Sequence, residues 1–240
     1  MKKYFLSLDW DYFIDVHTLY SHSYRETERD ILVKWYNEYF WGLENGQSIE
    51  RNYILSPDYE RFKEKVVPQL KITGKLPLVV SESHEVAYEC VKQSGCEAVY
   101  LFDAHSDLGY GGLEALEYEV NCGNWLGKLL KEELIHEAYI IYSPYTKECV
   151  EEFEEQMNAF SIHFISETDL LESPITFEAV HLCRSGPWTP PWYDESFYAL
   201  AEAFKENFNL KVIDQVGEKR RWEPQALTLA ERINYKLGLV

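Results

Sequence analysis

Short runs of apolar residues, mostly β-branched or aromatic, alternate along this chain with amphipathic stretches. That alternation is the strongest constraint on how it folds. The runs Tyr4–Leu8, Leu78–Ser81, Ala98–Phe102, Ala138–Tyr142, Ser161–Ile165 and Ala179–Cys183 read as strands. Arg25–Phe40, Tyr59–Val67, Glu85–Gln93, Trp125–Glu133, Lys147–Met157, Ser196–Asn207 and Pro224–Leu237 read as helices, the last with Pro near its start and Gly238 just past its end. Strands that alternate with helices need crossover connections, which predicts a mostly parallel sheet covered on both faces. No repeat, low-complexity tract or Gly/Ser-rich linker divides the chain, so residues 1–240 are expected to form one α/β domain. In such sheets ligands bind beyond the carboxyl ends of the strands.

Charge narrows the partners. Asp and Glu number 41 against 23 Lys and Arg, a formal net charge of −18. That excess disfavours a nucleic-acid backbone or an anionic membrane as partner and leaves a small molecule as the expected ligand. Asp9 and Asp11 interrupt the N-terminal apolar run, so no signal peptide is expected. No segment approaches the ~18 consecutive apolar residues of a membrane span. Cys90, Cys96, Cys122, Cys149 and Cys183 are odd in number and form no C-x-x-C pair, the usage of reduced thiols in a cytoplasmic protein. The sequence leaves a homo-oligomer open.

Three apolar runs lead straight into ionisable clusters: YFLSL into Asp9-Trp10-Asp11, LVVS into Glu82-Ser83-His84-Glu85, and AVYLF into Asp103-Ala104-His105-Ser106-Asp107. Residues two apart on an extended chain point the same way, so Asp103, His105 and Asp107 converge if the extended geometry persists past the strand. Asp9 and Asp11 do likewise. At one sheet edge these carboxylates would repel one another and shift upward in pKa unless cations neutralise them. Two divalent cations balance four aspartates. Mixed Asp and His ligands without thiolate suit Mn, Fe or Zn in a reactive rather than a structural site. Taken singly, Asp-x-Asp is as compatible with a turn or helix cap, and His84 with a helix start. Three ionisable groups directly after a buried strand are harder to explain by packing, because unpaired buried charge is costly.

On these residues the chain resembles the arginase/deacetylase superfamily of metal hydrolases. FDAHSDL is similar to that family's DAHxD motif, SLDWDYF to its SxDxDxxD motif, SESHEVA to the segment supplying a single metal-binding His, and NCGNWLGK (Asn121–Lys128) to its SGN-x-HG stretch. With RSGPWTPP, the set resembles more closely an uncharacterised arginase-related family of bacteria and eukaryotes. The resemblance implies a three-layer α/β/α sandwich and two metal ions, Mn preferred with Zn or Fe as alternatives. Asp103 and Asp9 would bridge the ions. His84 and Asp107 would complete one ion, His105 and Asp11 the other.

The chain departs from the pattern in four places. SLDWD precedes the DAHSD segment here, which requires a permuted first strand inserted near the DAHSD strand. The third Asp of SxDxDxxD falls on Ile14, with Asp15 one step away. Leu126 stands where arginases have a proton-shuttling His. No counterpart exists for the guanidinium-holding glutamate, and the late strand AVHLC ends in Arg184-Ser185. An Arg184 facing the pocket would favour an anionic substrate over a guanidinium.

The expected chemistry is attack of a metal-bound hydroxide on a carbon bound to nitrogen in a small molecule other than arginine. Asp107 is the expected catalytic proton relay, and Asn124, Arg184 and Ser185 are expected to bind substrate. Asn124 also reads as a helix N-cap and Arg184 as a surface ion pair. Trp188 is expected to wall the pocket or pack a Pro-rich loop, and Gly109, Gly111 and Gly112 to give the loop after Asp107 its freedom. His136 reads as a surface residue and His163 and His181 as hydrogen-bonded core residues; His17 and His22 are open. Two rivals remain: a haloacid-dehalogenase-like phosphatase with Asp9 as nucleophile and Asp11 as acid, weakened by Phe13 where Thr is expected, and a non-catalytic metal- or ligand-binding module, favoured by Leu126.

Overall fold

In the computed structural model, which describes residues 2–17 and 28–239, seven strands form one sheet in which every pairing is parallel. They are β1 (Tyr4–Asp9), β4 (Leu78–Ser81), β5 (Ala98–Asp103), β6 (Glu137–Tyr142), β7 (Ile162–Phe164), β8 (Phe177–Cys183) and β9 (Val212–Asp214), in spatial order β7-β6-β5-β1-β8-β4-β9. The first strand of the chain therefore lies at the centre, between β5 and β8. A separate antiparallel pair, β2 (Ile14–Val16) and β3 (Tyr53–Leu55), follows the end of β1.

Strand alternation sorts the side chains to two cores. Leu6, Leu8, Tyr100, Phe102, Val80, Val180 and Leu182 enter one with Trp10, Trp35, Phe197 and Phe204. Phe5, Val99, Leu101, Ala138, Ile140 and Ala179 enter the other with Ala87, Val91, Leu126 and Leu129. Helices thus cover both faces: α1 (Glu28–Glu44) and α7 (Asp194–Phe208) lie on the first, α3 (Val86–Ser94) and α4 (Trp125–Lys131) on the second. The arrangement is a three-layer α/β/α sandwich.

Helix boundaries follow local chemistry. On α7, Phe197, Leu200, Ala201 and Phe204 recur at helical spacing and are buried, and Asn209 ends the helix in the left-handed region. The stretch predicted as one helix over Tyr59–Val67 is instead α2 (Tyr59–Arg61), a π-helical segment Phe62–Val66 and a 3-10 turn Val67–Gln69. Pro68 lacks an N–H and crowds the carbonyl four residues earlier, so regular α-helix cannot run through it. In the stretch predicted as a helix over Lys147–Met157, residues 147–153 are likewise a loop and a 3-10 turn before α5 (Glu154–Ala159). The C-terminal helix α8 (Leu229–Leu237) begins later than Pro224, where Thr228 and Glu231 form a capping box. The hairpin β2–β3, strand β9 and helix α6 (Glu167–Glu172) are elements the sequence reading does not contain. Among the described residues no helix is long and apolar enough to cross a membrane.

Candidate metal centre

The register of the central strands assembles the site. Leu8 pairs with Phe102, so Asp9 and Asp103 leave adjacent strands side by side. The chain does not stay extended beyond them. Asp9 accepts a hydrogen bond from the Asp11 N–H (3.0 Å), and Asp103 accepts one from the His105 N–H (2.8 Å). The same tight turn thus closes both strands, and convergence comes from these turns rather than from persisting strand geometry. The Ala104 N–H donates to Asp11 Oδ1 at 3.2 Å and ties the two turns together.

His84 arrives from the turn between β4 and α3 and is buried. Its Nδ1 lies 3.2 Å from Asp9, 3.0 Å from Asp103 and 2.9 Å from Asp107. On the outer side, His105 Nδ1 lies 2.9 Å from Asp11 and 3.5 Å from Asp103, with the ring partly exposed. Asp107 reaches inward through a left-handed backbone (φ +53°), and its Oδ2 accepts a 2.6 Å bond from Trp125 Nε1. Ser185, also left-handed (φ +48°), donates its hydroxyl to Asp9 Oδ2. Two non-glycine residues in this disfavoured region at one pocket mark a site that the surrounding packing holds under strain. Gly109, Gly111 and Gly112 have φ of +90°, +95° and +82°, the freedom expected of the loop after Asp107.

Proton affinities reflect the crowding. Burial, then Asp11, Asp107 and Asp9, push the Asp103 carboxyl well above its ordinary range. Burial opposes charge on His84 and His105, but the carboxylates outweigh it and hold both imidazoles well above their ordinary value.

The donors fit a pair of cations. Asp9, His84 and Asp103 form one group whose ligand atoms lie within 4.8 Å of one another, and Asp11, Asp103 and His105 form a second that shares Asp103. His84 Nδ1 and Asp103 Oδ2 are buried and, among the described residues, have no hydrogen-bond partner, although they face each other. His84 Nδ1 is within 3.2 Å of Asp9, Asp103 and Asp107, so a proton or a cation is what holds these groups together.

A cavity of about 270 Å³ opens on this cluster, walled also by Tyr110, Cys122, Gly123, Glu148, Ser185 and Trp188. Of the expected substrate binders, only Ser185 lines it. Asn124 is buried, with its amide donating to the Ala115 and Glu119 carbonyls and accepting from the Asn121 N–H, so it shapes the loop instead. Arg184 is buried on the far side, its guanidinium donating to Glu82, Asp194 and the Glu218 carbonyl. With that group committed, the expectation of an anionic substrate loses its basis. Leu126 points into the core, Ile14 is buried, and Asp15 pairs with His17 at 2.9 Å outside the cavity. His136 is exposed as expected, His163 is exposed rather than core because β7 is an edge strand, and His22 lies outside the described residues.

Glu148, which the sequence reading did not select, accepts from the Ser106 N–H (2.9 Å), Tyr142 (2.9 Å) and Tyr110. It lay unremarked in a predicted helix, and no local motif marks it. Ser7, fully buried behind His84, was hidden in an apolar run, whereas His181 is the buried, hydrogen-bonded core residue expected. Compared with protein-family models, curated proteins and solved structures, the chain matches none.

Proposed function

We propose that this protein is a metal-dependent hydrolase of C–N bonds in a small molecule, built on an arginase-like sandwich with a permuted first strand. One observation carries the reading: four aspartates and two imidazoles are gathered at one sheet edge in two ligand groups that share Asp103, with His84 Nδ1 within 3.2 Å of three carboxylates. Asp9, His84, Asp103 and Asp107 would hold one divalent cation, and Asp9, Asp11, Asp103 and His105 the other, with Mn preferred and Zn or Fe as alternatives. When bound, such a pair polarises a substrate carbonyl or amidine carbon and makes water nucleophilic at neutral pH.

The chain's own residues do the rest. Ser185 fixes one oxygen of Asp9. Trp125 donates to Asp107 and fixes it 2.9 Å from His84, within the ligand cluster, so Asp107 serves as a ligand. Glu148, oriented by three donors, is placed to hold the nitrogen end of a neutral or cationic substrate against the ring of Trp188. The burial of Leu126 in the core favours a second reading, a metal-binding module without turnover.

Elemental analysis of purified protein, with hydrolysis of a panel of amides, amidines and N-acylated amines, tests both. About two metal equivalents and turnover, both lost in Asp103→Asn, are expected. Metal content unchanged in that variant overturns the site, and bound metal without turnover across the panel selects the second reading.

A further inference from the structure

Behind His84 the sheet carries a file of buried polar side chains that no ligand role explains. Ser7 on β1, His181 on β8 and Ser81 on β4 are each fully buried on three adjacent strands. Ser7 Oγ lies 2.8 Å from His84 Nε2 and 3.0 Å from His181 Nδ1, and His181 Nε2 lies 2.8 Å from Ser81 Oγ. Ser81 then donates to the Ser83 carbonyl at 2.8 Å, one residue before His84 itself. Apolar residues would fill this space at less desolvation cost, so packing alone does not account for it.

The polarity of the file runs one way. A carbonyl only accepts, so the Ser81 hydroxyl donates to it and Ser81 Oγ accepts from His181 Nε2–H. His181 is fully buried and its two ring nitrogens face serine hydroxyls rather than a carboxylate, so a charge there would lack a counter-ion. With Nε2 donating to Ser81, its Nδ1 is an acceptor. Ser7 therefore donates to His181 and accepts from His84 Nε2–H. With Nε2 carrying its proton away from the cavity, the neutral His84 ring presents its Nδ1 lone pair to Asp9, Asp103 and Asp107.

We infer that Ser7, His181 and Ser81 form a one-way hydrogen-bond relay that sets the tautomer and ring angle of His84, making Nδ1 a ready metal ligand. They are positioning residues, and the inference rests on the metal reading of the site. Carbonyls and carboxylates commonly orient ligand histidines from behind. Here a second imidazole and two hydroxyls drawn from separate strands perform that task, so the ligand is locked to the sheet itself.

Ser7→Ala and Ser81→Ala, titrated with Mn(II) against a competing chelator, test this, with Ser7→Thr as the conservative control. The expected result is a 10–100-fold loss of affinity at one of two equivalents in Ser7→Ala, a smaller loss in Ser81→Ala and recovery in Ser7→Thr. Nitrogen NMR of histidine-labelled, Zn-loaded wild type needs no variant and is expected to show both His84 and His181 protonated at Nε2. Wild-type binding with unchanged affinity in a folded Ser7→Ala, or either ring protonated at Nδ1 alone, overturns the relay and leaves the metal site standing. Failure of the wild type to take up metal overturns the site and the relay with it.

Discussion

Asp103 lies 3.0 Å from one imidazole and 3.5 Å from the other, and its protonation couples the site to stability. Asp103, His84 and His105 all have folded-state values raised above their ordinary ones. Each therefore binds more protons folded than unfolded, and its contribution is complete below the ordinary value and lost as pH rises through the raised one. Metal competes with those same protons. In chelator, the melting temperature is expected to fall from mildly acidic toward alkaline pH, while the gain from added Mn(II) grows. At a hundredfold excess over Kd that gain is about 2.7 kcal/mol. Asp103→Asn, close in shape and charge to the protonated acid, should flatten the chelator curve and abolish the gain; thermal unfolding across pH reads both. Much of this cluster was legible, because Asp, His and Asp packed directly after an apolar run leave few alternatives. Arg184 was not: its partners Glu82 and Asp194 lie 102 and 10 residues away, and nothing local shows which way the guanidinium turns.

The loop carrying Asp107 is held from below by α4. Gly127 N–H donates to the Asp107 carbonyl at 3.2 Å, and a Cβ on Gly127 would lie 2.5 Å from the Leu108 carbonyl oxygen and 2.7 Å from Leu116 Cδ2. Gly127→Ala would help the isolated helix by under about 1 kcal/mol, yet the clash with backbone should cost about 1–3 kcal/mol and displace Asp107. Urea unfolding is expected to show the loss, and metal titration a weaker site. Trp125→Phe removes the N–H to Asp107 and leaves a void at a fully buried position, and in chelator should cost at least about 1.5–3 kcal/mol in the same assay, the range for hydrogen bonds to charged groups. At this scale the long apolar strands were readable to within two residues. Strands β2, β3 and β9, three residues each, are too short to show a period. His163 was misread because alternation reveals that a strand has two faces, and only topology reveals that the outer face of β7 meets solvent.

Across the whole molecule, every ligand depends on the placement of β1 between β5 and β8. The placement of β1 beside β5 was foreseeable from the acidic clusters that end both strands; its other neighbour β8 was not, because pairing over such separation leaves no local trace. Leu6, fully buried on β1, should cost about 2–5 kcal/mol as Leu6→Ala by chemical denaturation. A chain ending before Phe177 leaves one side of β1 and both sides of β4 without a neighbour, and should show no cooperative unfolding transition.

The central position of β1, far in sequence from its neighbour β8, also sets a timetable. Asp9 is made 176 residues before Ser185, which clasps it. A chain that stops short of β8 lacks the strand between β1 and β4 that sets His84 against Asp9, so loading follows the synthesis of β8, through the opening where His105 and Trp188 stand with ring centroids 6.4 Å apart.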